Sequence, residues 1–379
     1  MAPRFGRPSN NLTAGLVGLA NVGKSTLFQA LTHTSLGNPG NYPFATITPT
    51  SALTPVTSPM LTHLTQLYNS KKSYPSTLRV FDIAGLVRGA SDNKGLGNAF
   101  LNDIRQVDGI YHLVRAFRNS EITHIEGGVN PVRDAIVVQD ELLLKDMEWV
   151  EGSIAKLNHQ KGHLPVHEAI EMKNQVLALE KAYEVLMEGK RVIDGDWNDD
   201  EIEALNGFNL LTAKPTVLLI NVSKEDYLSG ENEFLKGIQS WRDEWAPGTP
   251  TVMVSPEYEK ELNDANDNIT DSSAMPSVVS QMRDSLGLIS FYTCGPQEVR
   301  QWTIREGTLA QDAAGVIHSD LRDTFINAEL IKYEDVIGLD APFDEKKLKA
   351  KGKISRVGKA YEVENGDILH FNAAAGKRR

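Results

Sequence analysis

Nine consecutive residues, Gly18-Leu19-Ala20-Asn21-Val22-Gly23-Lys24-Ser25-Thr26, have the types and spacing of a loop that grips a polyphosphate. They satisfy G-x-x-x-x-G-K-[ST] at Gly18, Gly23, Lys24 and Ser25. Glycines let backbone N–H groups close around phosphate oxygens, and the N-terminus of the following helix adds partial positive charge. Lys24 is placed to reach the β- and γ-phosphates, and the Ser25 hydroxyl to bind Mg²⁺. Such a loop works only between a strand and a helix. The apolar run from Leu12 to Val17 reads as a buried parallel strand, and Leu27 to Leu31 continues as a helix.

A triphosphate site that switches needs further groups at later positions. In Pro43-Phe44-Ala45-Thr46-Ile47-Thr48-Pro49, Thr46 is the candidate to complete the Mg²⁺ shell and sense the γ-phosphate. The apolar stretch from Thr77 ends in Asp82-Ile83-Ala84-Gly85, a D-x-x-G that puts Asp82 beside the metal and lets Gly85 offer its N–H to the γ-phosphate. These assignments make Lys24, Thr46 and Gly85 the candidate catalytic set, and Ser25, Thr46 and Asp82 the metal set. Leu86 follows, where Ras-like P-loop proteins carry the glutamine that orients water; leucine has no donor or acceptor. Arg88 is open to two readings, a contributor of charge or a solvated loop arginine. Asn21 has two readings as well: a turn residue that tolerates unusual backbone angles, or a ligand for K⁺.

Base choice rests on a later strand, Thr216 to Ile220, which delivers Asn221-Val222-Ser223-Lys224-Glu225. A guanine-reading loop is N-K-x-D, its aspartate accepting from guanine N1–H and the exocyclic amine. Lys224 holds that fourth position, and an ammonium only donates. Guanine selectivity is therefore expected to be lost, with Asn221 bracing the loop and the Val222 backbone reading an adenine edge. Thr251 to Val254 forms the last strand of the set and ends in Ser255, in the loop that flanks the base.

Around these groups the chain must supply a parallel sheet, to which Gly109 to Val114 adds another buried strand. Leu143, Met147, Val150, Ile154 and Leu157 alternate spacings of four and three, as do Met172, Val176, Leu179, Tyr183 and Leu186. With the break at Gly162 to Pro165, this predicts an antiparallel two-helix hairpin inserted in the domain. From about Leu288 the sequence reads as a small α+β unit, with strands at Phe291–Thr293, Ala360–Val363 and Asp367–Phe371 and a helix over Asp320–Ile331. His318 lacks a nucleophile or metal partner nearby and reads as structural or partner-contacting.

Composition bounds the rest. The 379 residues carry a net charge of −11, which opposes non-specific wrapping of nucleic acid. Locally, Lys346, Lys347, Lys349, Lys351, Lys353, Arg356 and Lys359 cluster without an intervening acid, and Lys377-Arg378-Arg379 closes the sequence. That surface is either solvated or a contact for RNA phosphate. One cysteine, Cys294, excludes an internal disulfide and fits a reducing compartment. No apolar run is long enough for a membrane span, and no signal peptide core is present, so a cytoplasmic location is expected.

The order of motifs, G-L-A-N-V-G-K-S-T, P-F-A-T-I-T-P, D-I-A-G-L-V-R-G-A, G-L-G-N-A-F-L, N-V-S and G-P-Q-E-V-R-Q-W-T-I-R, resembles the Obg-like ATPase family, the YchF-type branch of the Obg GTPases. The resemblance implies an α/β P-loop NTPase domain with an inserted helical hairpin and a C-terminal β-grasp (TGS) domain. The expected boundaries are 11–136 and 206–287 for the nucleotide domain, 137–205 for the hairpin and 288–373 for the TGS domain. It also implies ATP preferred over GTP, ribosome or translation-factor association, and Mg²⁺ at Ser25 and Thr46. Nucleotide contacts are expected at Asn21, Val22, Gly23, Lys24, Ser25, Thr26 and Val222, with Asn221 and Ser255 added from the residues themselves. One departure is that the family usually carries glutamate at the position of Lys224. Two other readings stand beside the ATPase switch, a guanine-selective translational GTPase using Glu225 and a non-hydrolysing scaffold.

Overall fold

The computed structural model describes residues 4–33, 51–83, 85–86, 103–159, 165–264, 272–339, 341 and 345–374. Thr46, Arg88, the G-L-G-N-A-F-L stretch and Lys377 to Arg379 lie outside the described residues. Strands are numbered in chain order: β1 (Thr13–Val17), β2 (Ser51–Pro55), β3 (Ser73–Tyr74), β4 (Thr77–Asp82), β5 (Gly109–Arg115), β6 (Thr216–Asn221), β7 (Thr251–Val254), β8 (Leu288–Cys294), β9 (Val299–Arg305), β10 (Phe325–Ile331), β11 (Ser355–Val357) and β12 (Ile368–Ala373). The chain divides into two compact units, one of 1–7, 13–53 and 79–282, the other of 8–12, 54–78 and 283–379.

The first unit is built on a sheet of order β2-β4-β1-β5-β6-β7. Registered pairs β1–β4, β1–β5, β5–β6 and β6–β7 are all parallel. All seven residues of β5 are buried, as a parallel strand covered on both faces requires. Because β4, β1, β5, β6 and β7 run the same way, their carboxyl ends, where α/β sheets bind ligands, carry Asp82, the glycine loop, Asn221 and Ser255 to one edge.

The hairpin forms as its periodicity predicts, from helices Pro131–His159 and Val166–Met187, the second preceded by Pro165. Leu143, Val150, Leu179 and Leu186 make the buried seam, with Met147, Ile154, Leu157 and Tyr183 packed against it. At its root the carboxylate of Asp146, wholly buried, accepts from the N–H groups of Leu211 and Thr212 and from the Thr212 hydroxyl. Arg105 stacks over Trp149 at 4.2 Å and donates to the Asn209 carbonyl, while Asn209 donates back to the Arg105 carbonyl. Burial lowers the Lys214 ammonium to about 8, although it donates to the Val107 carbonyl and to Asn209 Oδ1.

The second unit holds a mixed sheet of order β11-β10-β12-β8-β9-β3. β8 and β9 form an antiparallel hairpin, β12 lies parallel to β8, β10 runs antiparallel to β12, and β3 joins β9 in parallel. Alternation along β8 sends Phe291 to one face and Tyr292 to the other. Phe291 packs with Ile304, Phe325 and the helix Ala310–Ile317; Tyr292 packs with Val299, Ile368 and the helix Pro59–Leu67. Residues 54–78 therefore belong to this unit, whereas the sequence reading ran the nucleotide domain unbroken to 136. Ser58 caps that helix by accepting from Leu61 N, and Leu61, Leu64 and Leu67 are its buried stripe.

Two expectations about secondary structure change here, and one holds. The helix expected over Asp320–Ile331 is a short helix, Ser319–Asp323, followed by β10. Thr324 turns its hydroxyl back to the Asp320 carbonyl, and the aromatic and branched residues Phe325 and Ile326 favour the pleated sheet. Ala360–Val363 is not a strand but a turn with one isolated bridge, Leu309 to Glu362, curled around Asp367, which accepts from Tyr361 Oη and Glu364 N. His318 is a cap, its Nδ1 accepting from Asp320 N, which matches the structural reading.

His112, buried in β5, is set edge-on to Trp241 at 6.3 Å, and its Nε2 has no hydrogen-bond partner among the described residues. Burial, with the nearby Arg191 charge adding, pushes it down to about 4. Between about 6.5 and about 4 the unfolded chain takes up a proton that the folded chain refuses, so stability is full above that window and falls as the pH drops through it. The loss should approach about 3 kcal/mol by pH 4. Urea unfolding across pH 4–7 should show this slope, and His112→Leu should flatten it.

Candidate nucleotide-binding site

The glycine loop follows β1 directly and turns into the helix Lys24–His33. Its path uses two left-handed positions, Asn21 at φ 62° and Gly23 at φ 101°. Gly18 is fixed by space rather than by angle: a Cβ there would sit 2.4 Å from the Leu113 carbonyl oxygen of the neighbouring strand. Gly23 faces Asn221 with equal closeness, and the Asn221 amide donates to the Val22 carbonyl at 2.8 Å. Asn221 is thus the brace between the end of β6 and the glycine loop.

Lys24 is buried, and its ammonium donates to the carbonyls of Gly18 (3.2 Å) and Leu19 (2.8 Å). Burial lowers it to about 8, with the Asp82 carboxylate pulling the other way. A cation that has lost solvation and gained only carbonyl dipoles is the partner an anionic ligand would complete. Ser25 donates its hydroxyl to Asp82 Oδ2 at 2.8 Å, so the two residues chosen from separate motifs as metal groups meet in space. A hydroxyl and a carboxylate are hard oxygen donors of the kind Mg²⁺ takes alongside phosphate and water. They fit that ion, and no cluster of three acidic, His or Cys residues exists among the described residues to suggest a site formed by protein groups alone.

Gly85 comes within touching distance of the loop, since a Cβ there would lie 2.9 Å from Ala20 Cα and 3.1 Å from Lys24 Nζ. Leu86 is bridged to Leu19: its N–H donates to the Gly18 carbonyl and its own carbonyl accepts from Ala20 N. Its side chain is buried (1% exposed), which removes it from any role in water placement. Val22 is buried within the loop, while Ser25 and Thr26 are exposed at the helix start.

At the end of β6 the Val222 N–H donates to the Val254 carbonyl, so that N–H is already engaged. Ser255 is fully buried, and its hydroxyl has no partner among the described residues. Ser223 caps the helix Lys224–Ser229 by accepting from Asp226 N. Lys224 forms an ion pair with Glu261 on the helix Pro256–Asp264.

The sequence reading passed over a loop that touches the site. The Asn21 amide donates to the Thr123 carbonyl at 3.2 Å. The loop leading to Thr123 is caged from within by buried Arg115, whose guanidinium donates to the carbonyls of Phe117, Asn119 and Ile122. His124 is held by Asp134 at 2.8 Å, and Arg133 donates to the same carboxylate. The available signal was an arginine at the end of a strand buried along its whole length.

The arrangement of strand, glycine loop, helix and D-x-x-G defines a P-loop nucleoside-triphosphate site on a Ras-like α/β domain. Residues 13–141 match the family model described as 50S ribosome-binding GTPase, and residues 288–374 match the YchF-GTPase C-terminal model, described as a protein of unknown function (DUF933). The chain is 49% identical to an Obg-like ATPase homolog of Saccharomyces cerevisiae, covering 98% of this chain and 97% of that one. It is 41% identical to Obg-like ATPase 1 of Homo sapiens over 97% of this chain and 94% of that protein. The solved structure of the Schizosaccharomyces pombe YchF GTPase superposes with a TM-score of 0.87 at 42% identity, over 97% of this chain and all of that one. The chain belongs to the Obg-like ATPase (YchF) family.

Because a methyl at position 18 must displace backbone, Gly18→Ala should weaken nucleotide binding at least about tenfold and lower stability by roughly 2 kcal/mol. Titration with a fluorescent nucleotide and thermal melting measure the two effects separately.

Proposed function

We propose that this protein is a Mg²⁺-dependent, ATP-hydrolysing molecular switch that uses GTP less well and acts on ribosomes in the regulation of translation. The observation that carries the hydrolase reading is the convergence of Lys24, Ser25 and Asp82 at the carboxyl ends of β1 and β4. Lys24 holds the β- and γ-phosphates and neutralises charge as the γ-phosphoryl group departs. Ser25 and Asp82, together with Thr46 from the sequence reading, would hold the metal, which would supply charge neutralisation when bound. Gly85 donates its backbone N–H to the γ-phosphate. Asn21, Val22, Gly23 and Thr26 supply the rest of the phosphate cradle, and Asn221, Val222 and Ser255 form the base site. Adenine fits the Val222 carbonyl through its 6-amino group, where guanine presents a carbonyl of its own.

Turnover is slow because the position after D-x-x-G is a buried leucine. Leu86→Gln should therefore not speed hydrolysis, as the new amide enters a packed site. If potassium serves at Asn21, phosphate release runs faster in potassium than in sodium buffer; equal rates exclude that role.

The ribosome reading draws support from the family names and from the charge distribution. The second unit holds 17 of the 39 Lys and Arg residues but only 15 of the 50 Asp and Glu, so the net charge of −11 originates in the first unit. Lys349 and Lys353 are paired with Glu329 and Asp335, whereas Lys347, Lys351, Arg356 and Lys359 are exposed. The TGS module is the RNA-facing part in this reading, in the cytoplasm. Among the described residues no helix is long and apolar enough to cross a membrane.

Competition of ATP and GTP for a fluorescent nucleotide, followed by multiple-turnover phosphate release, tests the enzyme. ATP should win, and Lys24→Ala should abolish release. A large GTP preference, or release unaffected by Lys24→Ala, sinks the reading. Co-sedimentation with ribosomes should weaken steeply with salt if phosphate contacts dominate.

A further inference from the structure

Two helices meet beside the glycine loop with polar faces turned to one another. The helix Lys24–His33 begins inside that loop, the helix Pro256–Asp264 begins directly after Ser255, and the two pack together. Thr26, Gln29 and Ala30 are spaced i, i+3, i+4 on the first, as are Lys260, Asn263 and Asp264 on the second, so each trio shares one helix face. Between them lies a cleft of about 210 Å³. Helix faces that meet are ordinarily sealed by apolar side chains, yet only Ala30 of this lining is apolar. Among the described residues, no hydrogen bond or ion pair engages the side chains of Thr26, Lys260, Asn263 or Asp264. The second helix is held by buried Glu259, which accepts from the Ser273 hydroxyl and the Ala274 N–H, both at 2.7 Å. The cleft is a supported space whose walls offer hydrogen bonds.

We propose that this cleft receives the ribose of bound ATP, and that Lys260, Asn263 and Asp264 make the protein select ribonucleotides over deoxyribonucleotides. The proposal rests on the nucleotide-binding reading above. In that reading the phosphates are held at the start of the first helix and the base beside Ser255 at the start of the second; the sugar joins them, so it lies where the two helices face each other. The lining sorts the parts of a nucleotide. The Asp264 carboxylate repels phosphate, and walls with a single alanine methyl give an adenine ring little to stack on. A sugar presents hydroxyls, which both donate and accept: Asp264 accepts from one, Lys260 donates to one, and the Asn263 amide does either. Size agrees as well. A cavity of about 150 Å³ takes a benzene ring, so this cleft has room for a five-membered sugar ring, whereas drug-sized ligands fill roughly 300–1,000 Å³. A nucleotide that lacks a hydroxyl leaves its protein partner unpaired, which is how a hydrogen-bonding site rejects an analogue.

The test is calorimetric titration of the full chain, in Mg²⁺, with ATP, 2′-deoxy-ATP and 3′-deoxy-ATP. At least one deoxynucleotide should bind about tenfold more weakly than ATP. Asn263→Ala combined with Asp264→Ala should weaken ATP by about the same factor and leave that deoxynucleotide within about twofold of its parental affinity, so that the preference disappears. The retained deoxynucleotide binding shows that the variant is folded. Lys260→Met should cut the preference about threefold, and an unchanged preference removes Lys260 from the proposal. Deoxynucleotides that both bind the parent within about twofold of ATP overturn the ribose assignment, as does a preference that survives the double variant. Lys24→Ala separates the failures. If ATP binds it at parental affinity, the nucleotide-binding reading falls and takes this proposal with it; if ATP binding is lost while the parent shows no ribose preference, the ribose assignment alone falls.

Discussion

Gly18 lies so close to the Leu113 carbonyl that no side chain fits between them, and the Asn221 amide reaches across to the carbonyl of Val22. These two contacts press the phosphate loop against the ends of three strands, β1, β5 and β6. The loop has little choice of conformation once they are made, and Asn21 and Gly23 adopt their left-handed angles within it. The residues proposed to act on a nucleotide are located relative to that clamped backbone: Lys24 folds over it, Asp82 meets Ser25 at its helix end, and Leu86 bridges its first turn. A site that must hold donors ready for charge gains more from this rigidity than from any one side chain.

Buried charge recurs at the hairpin's root, where it is handled differently. Asp146 has lost water completely but accepts three hydrogen bonds from Leu211 and Thr212, while Arg105 stands 3.9 Å away over Trp149. Burial raises the carboxyl and lowers the guanidinium, so the root is held by polar groups that have partners only in this packing. Arg105 meets the hairpin directly at Trp149 and Asp146, while Asn209 and Lys214 bond Arg105 and Val107 beside it. The hairpin is anchored to the nucleotide unit by polar geometry as well as by its apolar seam.

Much of this was readable from residue order because the physics is local. G-x-x-x-x-G-K-S between an apolar run and a helix has one good solution, and the three-and-four spacing of Leu143 to Leu157 yields a helix wherever it is placed. What escaped was decided at long range. Residues 54–78 carry a Ser-Pro helix start and a leucine stripe, yet nothing local says that the stripe packs on Tyr292 and Val299. The run from Asp320 to Ile331 begins as a helix and ends as a strand, because β12 offers its middle residues a partner that propensity cannot see. Arg115 gave no motif at all; its role emerges only when three carbonyls converge on it.

The second unit is discontinuous, and this has a consequence for synthesis. The helix Pro59–Leu67 emerges early, with Leu61, Leu64 and Leu67 on its apolar face, but Tyr292, Val299 and Ile368 come more than two hundred residues later. At a translation rate of about 5–20 residues per second, that stripe waits on the order of ten seconds or more for its core. Meanwhile the intervening chain supplies β5, the hairpin, β6 and β7, enough to complete the parallel sheet around the phosphate loop. The nascent protein thus passes through a stage in which the nucleotide unit can close while a leucine face remains uncovered. That interval is when chaperone capture or aggregation competes most directly with folding.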